Sequence, residues 1–277
     1  MPQAVYIHIP FCQRICPYCD FTKFISKGQP VMDYLISLRK EMETMVSLYP
    51  PKRIKSIFIG GGTPTILTNE QMDFLFHSIR DIFPLDEEVE FSIEANPETI
   101  DRKKLETMKR GGVNRLSFGV QTFDPHLLKK LGRGHTSHQV TSCIEWAKEM
   151  GFTNISIDLM FGLPEQSLAS LKETLDEAFK LHVTHVSTYS LQIEEGTFFY
   201  RLYQQDKLPL PPEEMEAEMF ELIMNEMESH GYKHYEISNF ALPGYESQHN
   251  LTYWRNEEYY GLGVGAHGYV QRVRYAN

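Results

Sequence analysis

Cysteine is scarce in this chain, with four among 277 residues. So few thiols over this length exclude the dense disulfide framework of a small secreted domain. Long apolar runs are missing too: no stretch approaches the roughly 20 residues that a membrane span needs. The N-terminal Met1–Pro2–Gln3–Ala4 lacks the basic region and apolar core of a signal peptide. These absences set the expectation of a reducing, cytoplasmic location, with peripheral membrane contact left open. Basic charge is in deficit: 27 Lys and Arg face 37 Asp and Glu, for a formal net charge of −10. That balance argues against a nucleic-acid partner, which needs a basic face. Low-complexity tracts and solenoid repeats are absent as well. What remains is ordinary globular composition, 42% hydrophobic and 23% charged, at a length that suits one large domain, such as an α/β barrel, or two small ones.

Three of the four cysteines stand together in Cys12–Gln13–Arg14–Ile15–Cys16–Pro17–Tyr18–Cys19, directly after the apolar run Val5–Ile9. Thiolates select zinc, copper(I) or iron–sulfur clusters. A structural zinc site closes a tetrahedron with four ligands, and a [4Fe–4S] cluster usually takes four thiolates. Three cysteines with no equally good fourth nearby leave one metal position open to another ligand. On spacing alone zinc remains the serious rival. Cys143 falls in a helical stretch and reads as a small buried hydrophobe.

Apolar runs then alternate with amphipathic segments. Strands are expected at Val5–Ile9, Ile54–Ile59, Val89–Ala95, Arg115–Val120, Asn154–Met160 and His185–Leu191. Helices are expected at Met32–Met45, Thr68–Phe83, Arg102–Arg110, Pro125–Leu131, Ser137–Met150 and Leu168–Leu181. Six strand–loop–helix rounds argue for a parallel sheet with right-handed crossovers. Residues with functional potential end several strands: the cysteines, Gly60–Thr63, Glu94, Gln121 and Asp158. A site assembled from many strand ends is the logic of a barrel. Six units fall short of eight, so the expected fold is an open, partial (β/α)6 barrel over residues 1–195. Residues 196–277 read as a C-terminal α+β extension: the linker Pro209–Pro212, a helix from Glu213 to His230, and strands at Tyr232–Ile237 and Gln271–Tyr275. The extension is expected to pack on the barrel.

The cysteine loop, with an aromatic Tyr18 before its last cysteine, resembles the signature of the radical S-adenosylmethionine (SAM) superfamily. That resemblance implies a [4Fe–4S] cluster on Cys12, Cys16 and Cys19, with SAM chelating the fourth iron. It also implies reductive cleavage of SAM to a 5′-deoxyadenosyl radical, chemistry carried by the cofactors while the protein supplies position and shelter. Gly60–Gly61–Gly62–Thr63–Pro64 resembles the superfamily's SAM-binding glycine motif, and it lacks the lysine of a phosphate-binding loop.

The likeness narrows through Ile93–Glu98, Ser117–Gln121, Leu131–His135 and Asp158–Pro164, which resemble motifs of the oxygen-independent coproporphyrinogen III oxidase group. Carried over residue by residue, the group's SAM contacts fall on Tyr6, Tyr18, Gly61, Gly62, Thr63, Glu94, Gln121, Arg133 and Asp158, with Gln192 a weaker addition. Arg133 would pair with the methionyl carboxylate, as guanidinium suits carboxylates. Oxidases of the group carry a fourth cysteine where this chain has Phe21. The Asp20–Phe21 version resembles the group's heme chaperones, whose H-N-x-x-Y-W motif matches His249–Asn250–Leu251–Thr252–Tyr253–Trp254. That branch implies heme as a ligand with His249 as a candidate contact, a respiratory protein as heme acceptor, and an electron donor. The oxidase reading, oxidative decarboxylation of coproporphyrinogen III to protoporphyrinogen IX, is the alternative. A zinc-binding structural protein is the second alternative. The resemblance also implies a further small C-terminal domain beyond residue 277.

Overall fold

Alternation along the strands decides the architecture. In a computed structural model describing Met1–Asn277, one set of alternate strand residues is apolar and the other is polar. Ile57, Ile59, Phe91, Ile93, Leu116, Phe118, Ile155 and Ile157 join the main hydrophobic core. Between them stand Ser56, Glu90, Ser92, Glu94, Arg115, Ser117, Ser156 and Asp158, which face the other side. The sheet therefore buries one face under helices and turns a polar face toward a lumen.

The chain runs β1 (Ala4–Ile9), β2 (Phe11–Cys12), β3 (Phe24–Ile25), α1 (Val31–Leu48), β4 (Ile54–Gly61), α2 (Asn69–Ile82), β5 (Leu85–Ala95) and α3 (Arg102–Arg110). It continues β6 (Arg115–Gln121), α4 (Pro125–Lys130), α5 (Ser137–Glu149), β7 (Asn154–Phe161), α6 (Leu168–Lys180), β8 (His185–Ser190), α7 (Phe198–Tyr203) and α8 (Glu213–Ser229). It ends β9 (Lys233–Glu236), β10 (Asn239–Ala241), α9 (Gln248–Trp254), β11 (Tyr259–Leu262), β12 (His267–Val270) and β13 (Val273–Ala276). Side-chain capping boxes start α2, α5 and α6, at Thr68, Thr136 and Ser167, satisfying helix N–H groups that lack intrahelical partners.

Strands β1, β4, β5, β6, β7 and β8 are parallel neighbours in chain order. They form the centre of an 11-stranded sheet that ends at β13 on one edge and β9 on the other, so the barrel does not close. The extension continues this same sheet at both edges. β10 pairs antiparallel with β8, and β11 pairs parallel with β1. Between them α9 crosses on the lumen side, where His249 meets Ser56 of β4 and the backbone of Gln248 meets Glu90 of β5.

One expectation in the extension needs correction. The strand expected over Gln271–Tyr275 is split: Gln271 and Arg272 make a tight turn with φ of 50° and 63°, and only the residues after them pair with β12. The H-N-x-x-Y-W stretch, for which the sequence set no element, is a helix, with Ser247 accepting the Asn250 N–H as its cap.

Candidate cofactor chamber

The C-terminal ends of the central strands open into a cavity of about 340 Å³. Its lining brings together Cys12, Cys16, Tyr18, Cys19, Gly61, Gly62, Thr63, Glu94, Gln121, Arg133 and Asp158. These positions are spread over more than a hundred residues of sequence, and the parallel register gathers them at one end of the sheet.

The cysteine loop is pinched at its base. Phe24 N–H donates to Pro10 O at 2.6 Å and Ser26 N–H to Cys12 O at 2.9 Å, so β2 and β3 form a short parallel clip. Inside the loop Cys19 N–H donates to Cys16 O at 3.2 Å, and Lys23 Nζ donates to Cys19 O at 2.5 Å. All three thiols are free. Burial pushes Cys12 and Cys19 up from the usual thiol range, while the Thr63 hydroxyl and Lys23 pull the other way. Nowhere do three His, Cys, Asp or Glu side chains converge as a single ion requires. The three thiols line one chamber, a donor set of the soft kind that an iron–sulfur cluster takes. Cys143 lies apart on α5, buried, with its thiol directed to Pro97 O at 3.5 Å.

Glycine is required where the backbone approaches the loop. A Cβ on Gly62 would stand 2.8 Å from Phe11 O and 2.9 Å from Cys12 Sγ. Gly61 has φ of 115°, a conformation open to glycine, and its N–H donates to Glu94 Oε2 at 3.1 Å. At Gln121 the β6–β7 register slips, and this residue takes φ of 70° to aim into the chamber.

The charged groups form a buried set. Glu94 is pushed up to about 8, by burial first and by Asp158 second, against the pull of the Gly61 N–H and Arg115. Asp158 is raised by burial, opposed by hydrogen bonds from Ser187 and Ser117, the latter at 3.1 Å. Arg133 donates Nη2 to Gly119 O at 2.5 Å, while its buried Nε has no partner. A buried guanidinium N–H without an acceptor calls for an anionic oxygen. That orphan donor, the glycine cradle and the buried carboxylates fit an amino-acid ligand carrying both charges, as SAM does.

Tyr6 falls outside the chamber. Its hydroxyl is bonded to His8 Nδ1 at 3.0 Å, and its ring stacks on Phe58 at 6.3 Å, one step down the lumen. Gln192 is not part of the lining either. The sequence reading missed Tyr189 at the end of β8, Asn96 and Glu98 after β5, and Met160 at the end of β7. Strand-end position was the available signal for Tyr189 and Met160.

His249 departs furthest from expectation. It is 1% exposed. Its Nδ1 is bonded to the Ser56 hydroxyl at 3.0 Å and its Nε2 to the Tyr253 hydroxyl at 2.7 Å. Its ring stacks on Phe58 at 5.3 Å, and burial holds it down at about 3. With both nitrogens engaged inside the lumen, His249 does not fit an axial heme ligand in this arrangement. Tyr253 and Trp254 are the exposed members of the motif, at 39% and 54%.

The radical SAM superfamily model matches residues 6–178. The heme chaperone HemW of Bacillus subtilis is 51% identical over 276 residues, covering 99% of this chain and 73% of that protein. The Escherichia coli heme chaperone HemW is 40% identical over 271 residues, covering 97% and 70%. Among solved structures, the radical SAM coproporphyrinogen III oxidase HemN of E. coli superposes with a TM-score of 0.84 at 26% identity. That match covers 97% of this chain and 65% of that one, so the chain spans less than two thirds of the oxidase.

Proposed function

This chain belongs to the radical SAM superfamily and, within it, to the heme chaperone HemW family; from that premise we propose that it binds heme and passes it to an acceptor protein in the cytoplasm. The barrel of residues 1–195 would hold a [4Fe–4S] cluster and SAM, with residues 196–277 completing the sheet around them. Bound cluster and SAM would supply one-electron chemistry. Cys12, Cys16 and Cys19 would take the cluster. Gly61, Gly62, Thr63, Glu94, Gln121, Arg133 and Asp158 would bind SAM, with Tyr18 at the loop. The free Nε–H of Arg133 would donate to the ligand's carboxylate, and Glu94 and Asp158 would accept from its hydroxyl or amino groups.

The observation that carries the chaperone reading is Phe21. It sits at the lip of the chamber, 58% exposed, where the oxidase group has a further thiol. An exposed aromatic side chain there adds apolar surface and no metal ligand. The oxidase reading keeps one observation in its favour, the close superposition on HemN.

Anaerobic reconstitution with iron and sulfide, then titration with heme and incubation with coproporphyrinogen III, SAM and a reductant, separates the two. The expected outcome is a four-iron cluster, saturable heme binding and no sustained protoporphyrinogen IX formation. Multiple turnovers without heme binding would overturn the chaperone reading.

A further inference from the structure

Below the chamber floor lies a charge that the cofactor reading leaves unused. Arg115 opens β6, pairs with Ser92 of β5, and is 1% exposed. Its Nε and Nη1 are buried without any hydrogen-bond partner, and the Ser92 hydroxyl beside it in the register is unpartnered too. A buried cation without a partner is costly, so it persists where nearby anions offset it. Glu90, two residues before Ser92 on the same face, is taken up by three donors at the start of α9, and the other anions are above Arg115. Glu94 pairs in register with Ser117, two residues beyond Arg115 on the same face, and Ser117 donates to Asp158 at 3.1 Å.

We propose that Arg115 is a positioning residue for the chamber: its buried charge lowers the cost of ionising the Glu94 and Asp158 carboxylates, so that they can receive hydrogen bonds from a cationic ligand when it enters. The ligand identity rests on the reading of the chamber as a SAM site. The role of Arg115 rests on the lumen itself.

The other groups facing this set do not replace it. Tyr6 of β1, Tyr189 of β8 and Tyr253 of α9 face Glu94, and burial keeps all three hydroxyls neutral. Arg133 acts on Asp158 from the chamber side. His185 and His249 are held neutral by burial, with Arg115 adding to the effect. Tyr235 is neutral, at about 12. Arg115 is therefore the one cation beneath both carboxylates, opposing proton uptake by each.

The test is an infrared pH titration of the cluster-loaded protein without SAM, following a carboxylic-acid C=O band assigned by Glu94→Gln. Wild type should lose the band around pH 8. Arg115→Met fills similar volume without charge, a replacement that buried ions often tolerate. It should move the midpoint up by about one pH unit, and weaken SAM binding about tenfold near neutrality with recovery at alkaline pH. Arg115→Lys should return the midpoint toward wild type. A wild-type midpoint in Arg115→Met would overturn the proposal, as would an equal displacement in Arg115→Lys. If the midpoints move as expected while wild type binds no SAM, the Arg115 role stands and the SAM reading of the chamber falls.

Discussion

His249 spends both ring nitrogens on Ser56 and Tyr253, so truncating it separates a structural part from a ligand. His249→Ala removes a stacked ring and two buried hydrogen bonds, a loss on the order of 2–4 kcal/mol in folding stability. Heme titration should nonetheless reach the wild-type endpoint with an unchanged spectrum. Lost heme binding at unchanged denaturation midpoint would make His249 a ligand after all. The residues legible from sequence are those whose chemistry shows in one dimension. Clustered thiols announce a metal site, and a glycine run announces close backbone approach. Arg115 was not legible, because an inward arginine looks like any charged strand residue until register fixes which face it occupies. The burial of His249 was not legible for a related reason: a motif gives residue identity and spacing, and burial comes only with the neighbouring strands.

Helix α9 is held by a residue far away in sequence. Glu90 accepts from Ser247 Oγ at 3.3 Å, Gln248 N–H at 3.0 Å and His249 N–H at 3.1 Å. A carboxylate at a helix start satisfies donors that lack intrahelical partners and meets the positive end of the helix dipole. Glu90→Ala leaves those buried donors unpaired, which costs on the order of 1–3 kcal/mol. Amide hydrogen exchange should accelerate through Gln248–Trp254 and spare the cysteine loop. Uniform acceleration over the whole chain would show that α9 is no separate unit. The six parallel strands were legible because an apolar run followed by a helical segment repeats six times. The short clip of β2 with β3 was not, since two-residue strands carry no periodicity. The parallel pairing of β11 with β1 was not legible either. It joins residues at opposite ends of the chain, and no local pattern encodes it.

At the scale of the whole molecule, the lumen stores opposed titrations, and stability should depend on pH accordingly. His135 and His249 are held at about 4 and about 3, and His185 well below 6.5, with burial the leading cause in each. Between pH 6.5 and those depressed values the unfolded chain binds the extra protons, so stability falls as the solution is acidified through this window. Each imidazole contributes about 1.4 kcal/mol per unit of displacement, so the three together outweigh any single surface ion pair. Glu94 works in the opposite direction. Its folded value of about 8 exceeds the ordinary 4.5, so the native state holds the extra proton between them, and stability declines as pH rises from about 4.5 to 8. Asp158, also raised, adds to that decline. The two trends cross, and the protein without SAM should be most stable in mildly acidic solution. Denaturant titrations from pH 4 to 9 read this directly. Saturating SAM should flatten the alkaline decline, because a ligand that accepts Glu94 as an anion removes the cost of ionising it. A stability profile that climbs steadily to pH 8 without SAM would mean that Glu94 and Asp158 are already ionised in the empty chamber, with the guanidinium beneath them strong enough to hold both.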